Sequence, residues 1–289
     1  MEQTTQHFET RQNMFRNDFE IFHYREPKPG CVELHHHDFY EIYYFLGGHV
    51  EYRVEGRTYS LQKGDLLLIN PMELHQPMVL ADSETYERIV LWINREYLTS
   101  LGQDGTRLIQ CFEPGHKNLL RPSAIQAGEI RNKMEMLIQQ RRTDDFGSEL
   151  YAKGIFLQLM VVLNRLSISS YCEKEDSTPL VTQIVNYINN HYGEPLTLDH
   201  LAQVFYISKY HLSHKFTQAT GVSVYRYVML KRLQATRQRL MDGYTPKEAF
   251  LSSGFGDYAN FYRAFLSEYG VTPQVFASTI EKRISTIRK

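Results

Sequence analysis

Cysteine is scarce in this chain of 289 residues. The three present, Cys31, Cys111 and Cys172, are odd in number, scattered and without metal-type pairing, which argues against a secreted disulfide scaffold and favours a reducing, cytoplasmic compartment. They read as structural thiols. A signal-peptide core is missing from the polar amino terminus, MEQTTQHFET, and no stretch approaches the about 20 apolar residues that span a bilayer. No membrane partner is expected. Net charge is nearly absent, at −1, and charged residues make up 22% against 42% hydrophobic, a composition that excludes a disordered chain. At this length two domains, or two plus a connector, are expected.

The small net charge hides an asymmetry. From Gln183 to Lys289 there are 13 Lys and Arg against 7 Asp and Glu, a balance of +6, while the first 182 residues carry 19 against 26, or −7. A basic module joined to an acidic one suits a polyanion bound at one end only, although chance clustering of solvated charge gives the same count.

Up to about Asn94, short runs rich in Tyr, Val, Ile and Phe are broken at Gly47-Gly48, Glu55-Gly56, Lys63-Gly64 and Asn70-Pro71. Strands at this spacing predict a small barrel or sandwich. From Ser123 the period changes, and Ile130, Met134, Leu137 and Ile138 fall on one helical face. After a polar break over 141–145, a second helix is predicted from about Ser148, with Ile155, Leu159, Val162, Leu163 and Leu166 on one side. Its run from Ile155 to Leu163 is apolar nearly all round and must be covered on more than one side, by its own barrel or by a second subunit. The polar stretch from Cys172 to Pro179 marks a linker. Beyond it everything reads as helix, near 180–191, 197–204, 208–219, 223–241, 246–252, 257–268 and 273–283. The starts are signalled by Thr197, Ser208, Thr245-Pro246 and Asp257, the ends by Gly193, Gly221, Gly243, Gly254 and Gly270.

Two of these helices repeat one another. Ser208, Leu212, Phe216, Gly221, Val222 and Ser223 recur in order and spacing as Asp257, Phe261, Phe265, Gly270, Val271 and Thr272. A capping residue, apolar residues at i+4 and i+8, and a glycine end predict a short helix with one buried stripe. Two copies in a basic module fit tandem helix-turn-helix units, whose second helix enters a DNA major groove. With Leu212 and Phe216 inward, Tyr210, Ser213 and His214 face outward, flanked by Lys209 and Lys215. In the second copy Tyr258, Asn260 and Arg263 are left outside, and Arg263 suits a guanine edge while Asn260 suits adenine. Helix 223–241 between them carries Lys231, Arg232, Arg237 and Arg239, candidates for phosphate contact or pairing with nearby acids. An ordinary solvated helix face is the plain alternative for all of these residues.

The segments Thr197–Ala202, Ser208–Gly221, Gly254-Phe255 and Tyr258–Pro273, the last ending in Gly-Val-Thr-Pro, resemble the AraC/XylS family of bacterial transcription regulators over roughly 180–280. The resemblance implies two helix-turn-helix units joined by the long helix, with base contacts at Tyr210, Ser213, His214, Tyr258, Asn260 and Arg263. One departure falls at Ala249-Phe250, where the family usually has a branched aliphatic followed by alanine. Phe250 requires local repacking beside the second recognition helix.

The amino-terminal half holds a run of histidines, His35-His36-His37, followed by Glu41. Positions 35, 37 and 41 share parity and project from one face of an extended strand, with His36 expected on the outer face. Together with His75, these groups make a site for a divalent first-row metal such as Zn, Ni, Fe or Mn. The arrangement resembles the cupin fold, whose first motif is met by His35, His37, Glu41 and Gly48, and whose second is met only by Gly64 and His75. Sensor domains of the AraC/XylS family often hold a small molecule such as a sugar without metal. The same side chains would then bind a polyol, with Tyr43, Tyr52 or Trp92 as stacking surfaces, and no cofactor would be required. A purely structural cluster is the third alternative.

The sequence therefore predicts a multidomain α+β protein: a cupin-like β-barrel sensing an effector over 1–115, a helical dimerisation connector over 116–171, a linker over 172–181, and an all-α tandem helix-turn-helix domain over 182–289. The expected function is a non-enzymatic, cytoplasmic, nucleoid-associated bacterial regulator, binding double-stranded DNA as a homodimer. Activation through RNA polymerase is implied by resemblance alone. The rivals are a metal-dependent cupin enzyme fused to a helical module, and a DNA-binding protein whose barrel serves only as a dimerisation scaffold.

Overall fold

The computed structural model describes residues 14–27, 32–80, 85–102, 106–113, 116–170 and 180–287. Cys31, Cys172 and the predicted linker up to Pro179 lie outside the described residues. The chain divides into two units, Met1–Ser177 and Thr178–Lys289.

In the first unit, strand β2 (Tyr40–Gly47) explains the architecture. It is buried on both faces because nearly every residue from Tyr40 to Leu46 is apolar. Around it, β1 (Phe19–Pro27), β7 (Thr85–Ile93), β5 (Leu66–Ile69) and β8 (Leu119–Leu120) form an antiparallel sheet in the order β1-β7-β2-β5-β8. A second sheet has the order β4-β3-β6, from β3 (Val50–Val54), β4 (Arg57–Ser60) and β6 (His75–Val79). The predicted break at Glu55-Gly56 is a two-residue hairpin, and both residues take positive φ, at 47° and 76°.

Alternate residues of β2 serve different cores. Tyr40, Ile42, Tyr44 and Leu46 pack with Ile130, Met134 and Leu137 of α2 (Ala124–Gln140) and with Phe156, Leu159 and Leu163 of α3 (Ser148–Ser170). Tyr43 and Phe45 face the other way, into a cluster with Tyr52 and Val54 of β3 and Val90 and Trp92 of β7. The short helix α1 (Arg95–Ser100), capped by Asn94, and a 3-10 turn at Gln110–Phe112 complete the unit. Strand β8 falls inside the segment expected to be purely helical.

The predicted face of α2 is buried as expected, and Ser123 opens it with a capping box. Helix α3 corrects one expectation. Over Ser148–Ser169 its length and hydropathy suffice to cross a membrane, although half of that stretch is buried in the unit, as in a core helix. Leu157, Val161 and Val162 are only partly covered, and Leu150 and Ile168 are exposed.

The second unit is all helix: α4 (Leu180–His191), α5 (Leu198–Val204), α6 (Lys209–Thr220), α7 (Val224–Met241), α8 (Pro246–Leu251), α9 (Tyr258–Tyr269) and α10 (Pro273–Ile287). Its first residues, Leu180 and Val181, belong to α4 and not to the linker. The duplicated segments share their boundary chemistry. Ser208 and Asp257 accept from the backbone N–H groups of His211 and Asn260, and Gly221 and Gly270 close the helices at φ 81° and 68°. Leu212, Phe216, Phe261 and Phe265 are fully buried.

Candidate functional site

Between the two sheets of the first unit, Glu41 of β2 stands opposite Trp92 of β7. Trp92 Nε1 donates to Glu41 Oε2 at 2.8 Å, and the Tyr52 hydroxyl donates to Oε1 at 3.5 Å. Three imidazoles approach this anchored carboxylate with their orientation fixed. The Nδ1 atoms of His35, His37 and His75 lie 2.9, 2.9 and 2.8 Å from the carbonyl oxygens of Glu33, Phe39 and Glu73. A carbonyl only accepts, so each Nδ1 carries the hydrogen, and His37 and His75 offer a ligand atom to the site beside Glu41. His37 Nε2 is 3.3 Å from Glu41 Oε2, and buried His75 Nε2 has no hydrogen-bond partner among the described residues.

Ligand atoms of His37, Glu41 and His75 lie within 4.8 Å of one another. The structure thus brings together three of the four predicted donors. His35 sits beside them, its ring centre 4.2 Å from that of His75 and 6.4 Å from that of His37. Burial drives the His75 pKa well below the usual histidine value and lowers that of His35 to about 4, so both are neutral at pH 7. Burial alone would raise Glu41, but the hydrogen bond and charge of His37, with the Trp92 bond, hold its carboxyl below the ordinary range.

The parity argument fails at His36, which is 1% exposed and not on an outer face. Strand β2 begins only at Tyr40, and His35 forms a lone bridge with His75, so the two-residue alternation does not run through 35–39. Trp92 and Tyr52 hold Glu41, and Tyr43 bonds the Tyr86 hydroxyl at 2.6 Å. Beyond them Arg88 lies 4.0 Å from the Tyr86 ring centre and pairs with Glu26 at 2.8 Å. Tyr86 and Arg88 escaped the sequence analysis. Their signal was the shared parity of 86, 88, 90 and 92 along β7.

The second unit presents its own polar face. Tyr210 and His214 of α6 are exposed and their rings stack at 6.2 Å, while Ser213 is half-buried. Lys209 pairs with Asp199 of α5 at 2.5 Å. On α9, Tyr258, Asn260 and Arg263 are all exposed. Arg263 Nη2 donates to Asn260 Oδ1 at 2.6 Å, and Gln274 of α10 donates to the Tyr258 hydroxyl at 2.9 Å. Phe250 fills the space below, 5.2 and 5.7 Å from the ring centres of Tyr258 and Phe261, which is the repacking its size required. Ser213, Asn260 and Arg263 line one groove of 730 Å³ along α7, so both recognition helices border the same depression.

Two of the basic residues on α7 are committed to the protein itself. Arg237 is 2% exposed and lies over the rings of Tyr269 and Phe276, which corrects its reading as a phosphate contact. Arg232 donates to the carbonyls of Tyr192 and Glu194. Lys231 is half-buried over the Tyr227 ring.

The family model for an AraC-like ligand binding domain matches residues 16–160, and that for a helix-turn-helix domain matches 201–279. The chain belongs to the AraC family of transcription regulators. Its relatives include the uncharacterised HTH-type transcriptional regulator YbfI of Bacillus subtilis (strain 168), 24% identical over 78% of this chain and 80% of that one. The HTH-type transcriptional activator RhaS of Enterobacter sp. (strain 638) is 24% identical over 83% and 85%. Among solved structures, ToxT from Vibrio cholerae O395 aligns over 92% of this chain and 99% of its own at 14% identity, with a TM-score of 0.38. This AraC-family regulator thus carries its His/Glu cluster inside the matched ligand-binding domain, and both recognition helices inside the matched helix-turn-helix domain.

Proposed function

We propose that this regulator is a cytoplasmic homodimer that reads DNA with α6 and α9 and responds to a small effector held between the sheets of its first unit. The observation that carries the DNA reading is the single groove bordered by Ser213 of α6 and by Asn260 and Arg263 of α9. Base contacts then fall to Tyr210, Ser213, His214, Tyr258, Asn260 and Arg263, and phosphate contacts to Lys209 and Lys231. RhaS is named an activator, which supports activation here, through contact with RNA polymerase.

The effector site comprises His35, His37, Glu41, Tyr43, His75 and Trp92. Its preset donors and acceptors suit a polyol such as a sugar. A divalent metal also fits the donor set, because the Nδ1 hydrogen bonds of His37 and His75 leave their Nε2 atoms as the ligand atoms beside the Glu41 carboxylate. Such an ion would be held by His37, Glu41 and His75 and would supply a Lewis-acidic point for effector oxygens.

Dimerisation falls to the connector. Along α3, Leu150 and Leu157 stand seven residues apart, as do Val161 and Ile168, and exposed Phe146 and Leu150 line a groove between α2 and α3. The deciding experiment selects sites from random DNA with the full chain, then measures affinity with and without a sugar panel and Zn(II). Failure to enrich any sequence sinks the DNA reading. Identical affinity under every addition, with no thermal shift, leaves the barrel as a scaffold only, and turnover of a sugar or phenol by metal-loaded protein would favour an enzyme.

A further inference from the structure

Three segments of the second unit meet at one point. The chain leaving α4 presents the carbonyls of Tyr192 and Glu194, α7 supplies Arg232, and the turn between α8 and α9 supplies Gly254. Arg232 Nε donates to Tyr192 O and Nη2 to Glu194 O, each at 2.8 Å. Gly254, at φ 81°, comes so near that a Cβ there would lie 2.5 Å from Tyr192 O, 2.9 Å from Gly193 Cα and 3.0 Å from Arg232 Nε. Backbone therefore touches backbone, and only glycine permits it. Burial of the guanidinium lowers its pKa from the ordinary arginine value.

The place of this contact gives it a function. Helix α4 packs with α6 of the first helix-turn-helix, and Gly254 stands three residues before Asp257, the cap of α9. Both units also share α7, through Tyr227 against Phe216 on one side and Leu233 and Leu240 with Phe261 and Phe265 on the other. A shared helix fixes separation along its axis but constrains rotation about that axis less. A second contact away from the axis removes that freedom.

We propose that the joint of Arg232, Tyr192 and Gly254 sets the spacing and phase at which α6 and α9 read DNA, with Arg232 a positioning residue and not a phosphate contact. The inference rests on the DNA reading above. Successive major grooves lie about 10 base pairs apart, so a small rotation of one unit misplaces its helix on the next groove. Lysine cannot replace the arginine, because the two carbonyls are bridged by a planar fork and an ammonium is a single point.

The test uses the full chain on DNA selected from a random pool, which defines the two recognition elements bound by each protomer and their spacing. Wild type, Arg232→Lys and Gly254→Ala are titrated against the selected site, sites one base pair longer or shorter, and one element alone. Binding through two elements depends on geometry, so both variants should lose at least about tenfold on the selected site and less than about twofold on one element. Their preference for the selected spacing should flatten. On one element alone the salt dependence should stay unchanged, since losing a phosphate contact would reduce its slope by about 0.9. Arg232→Lys tests this with charge retained, and Arg232→Gln repeats it should Gly254→Ala fail to fold. Wild-type spacing preference in Arg232→Lys and Arg232→Gln would overturn the proposal. So would equal losses by Arg232→Gln on one and two elements with a shallower salt slope. A wild-type chain that enriches no paired site defeats the DNA reading itself, and the joint's function with it.

Discussion

Arg263 and Asn260 are already joined in the free protein, with the Asn260 carbonyl oxygen taken by Arg263 Nη2. Asparagine reads adenine by accepting from its amino group while donating to N7, and this contact occupies one of the two lone pairs of the Asn260 oxygen and ties its orientation to Arg263, whose remaining donors match a guanine edge. Arg263→Ala should therefore cost about 1–3 kcal/mol at one base position and release Asn260 from that orientation. Competition with singly substituted sites checks this, and equal losses on specific and random DNA would refute base reading. In the first unit, His35 keeps a folded pKa near 4 against 6.5 unfolded, and His75 shifts the same way. Between those values the unfolded chain takes up protons that the folded chain declines, so stability is complete above pH 6.5 and falls on acidification toward 4. Glu41, lowered in the fold, acts in the same direction. Melting temperature should drop from pH 7.5 to 5, and less so in His75→Asn. The Cys111 thiol is buried and pushed up to about 12, so it should resist alkylation in native protein at pH 8 and react only after unfolding, as peptide mass mapping would show.

Among the elements, helices were legible where caps and periodic apolar residues agreed. Ser208 and Asp257 mark their helices in sequence and accept from the N–H groups of His211 and Asn260 in the fold, so Ser208→Ala should cost about 0.5–2 kcal/mol in chemical unfolding. Gly270→Ala meets no neighbour within 4 Å, yet should still cost about 1 kcal/mol because φ is 68°. Other elements carried too little signal. Helix α1 has six residues and β8 two, and β8 exists only because β5 offers it a ladder. The His/Glu site was legible as residue types, since His37, Glu41 and His75 do converge. It was not legible in geometry, because period-two reasoning holds only inside a ladder and His35 and His36 precede one. Arg232 read as a phosphate contact, and its bonds to Tyr192 and Glu194 gave no signal, for backbone carbonyls are partners that every residue possesses.

At the scale of the whole molecule, association is the property most open to test. Phe146 and Leu150 are exposed beside a 570 Å³ groove, so Phe146→Glu with Leu150→Glu should shift the sedimenting species from the proposed dimer to monomer while sparing the fold, which circular dichroism verifies. Unchanged mass would move the interface elsewhere. The chain also has one tryptophan among its 289 residues, and that tryptophan donates its indole hydrogen to Glu41. Every photon of indole emission therefore originates at the carboxylate of the proposed effector site. An occupant that draws Glu41 away should change the colour or intensity of that emission, which makes the protein its own optical titrant without any label.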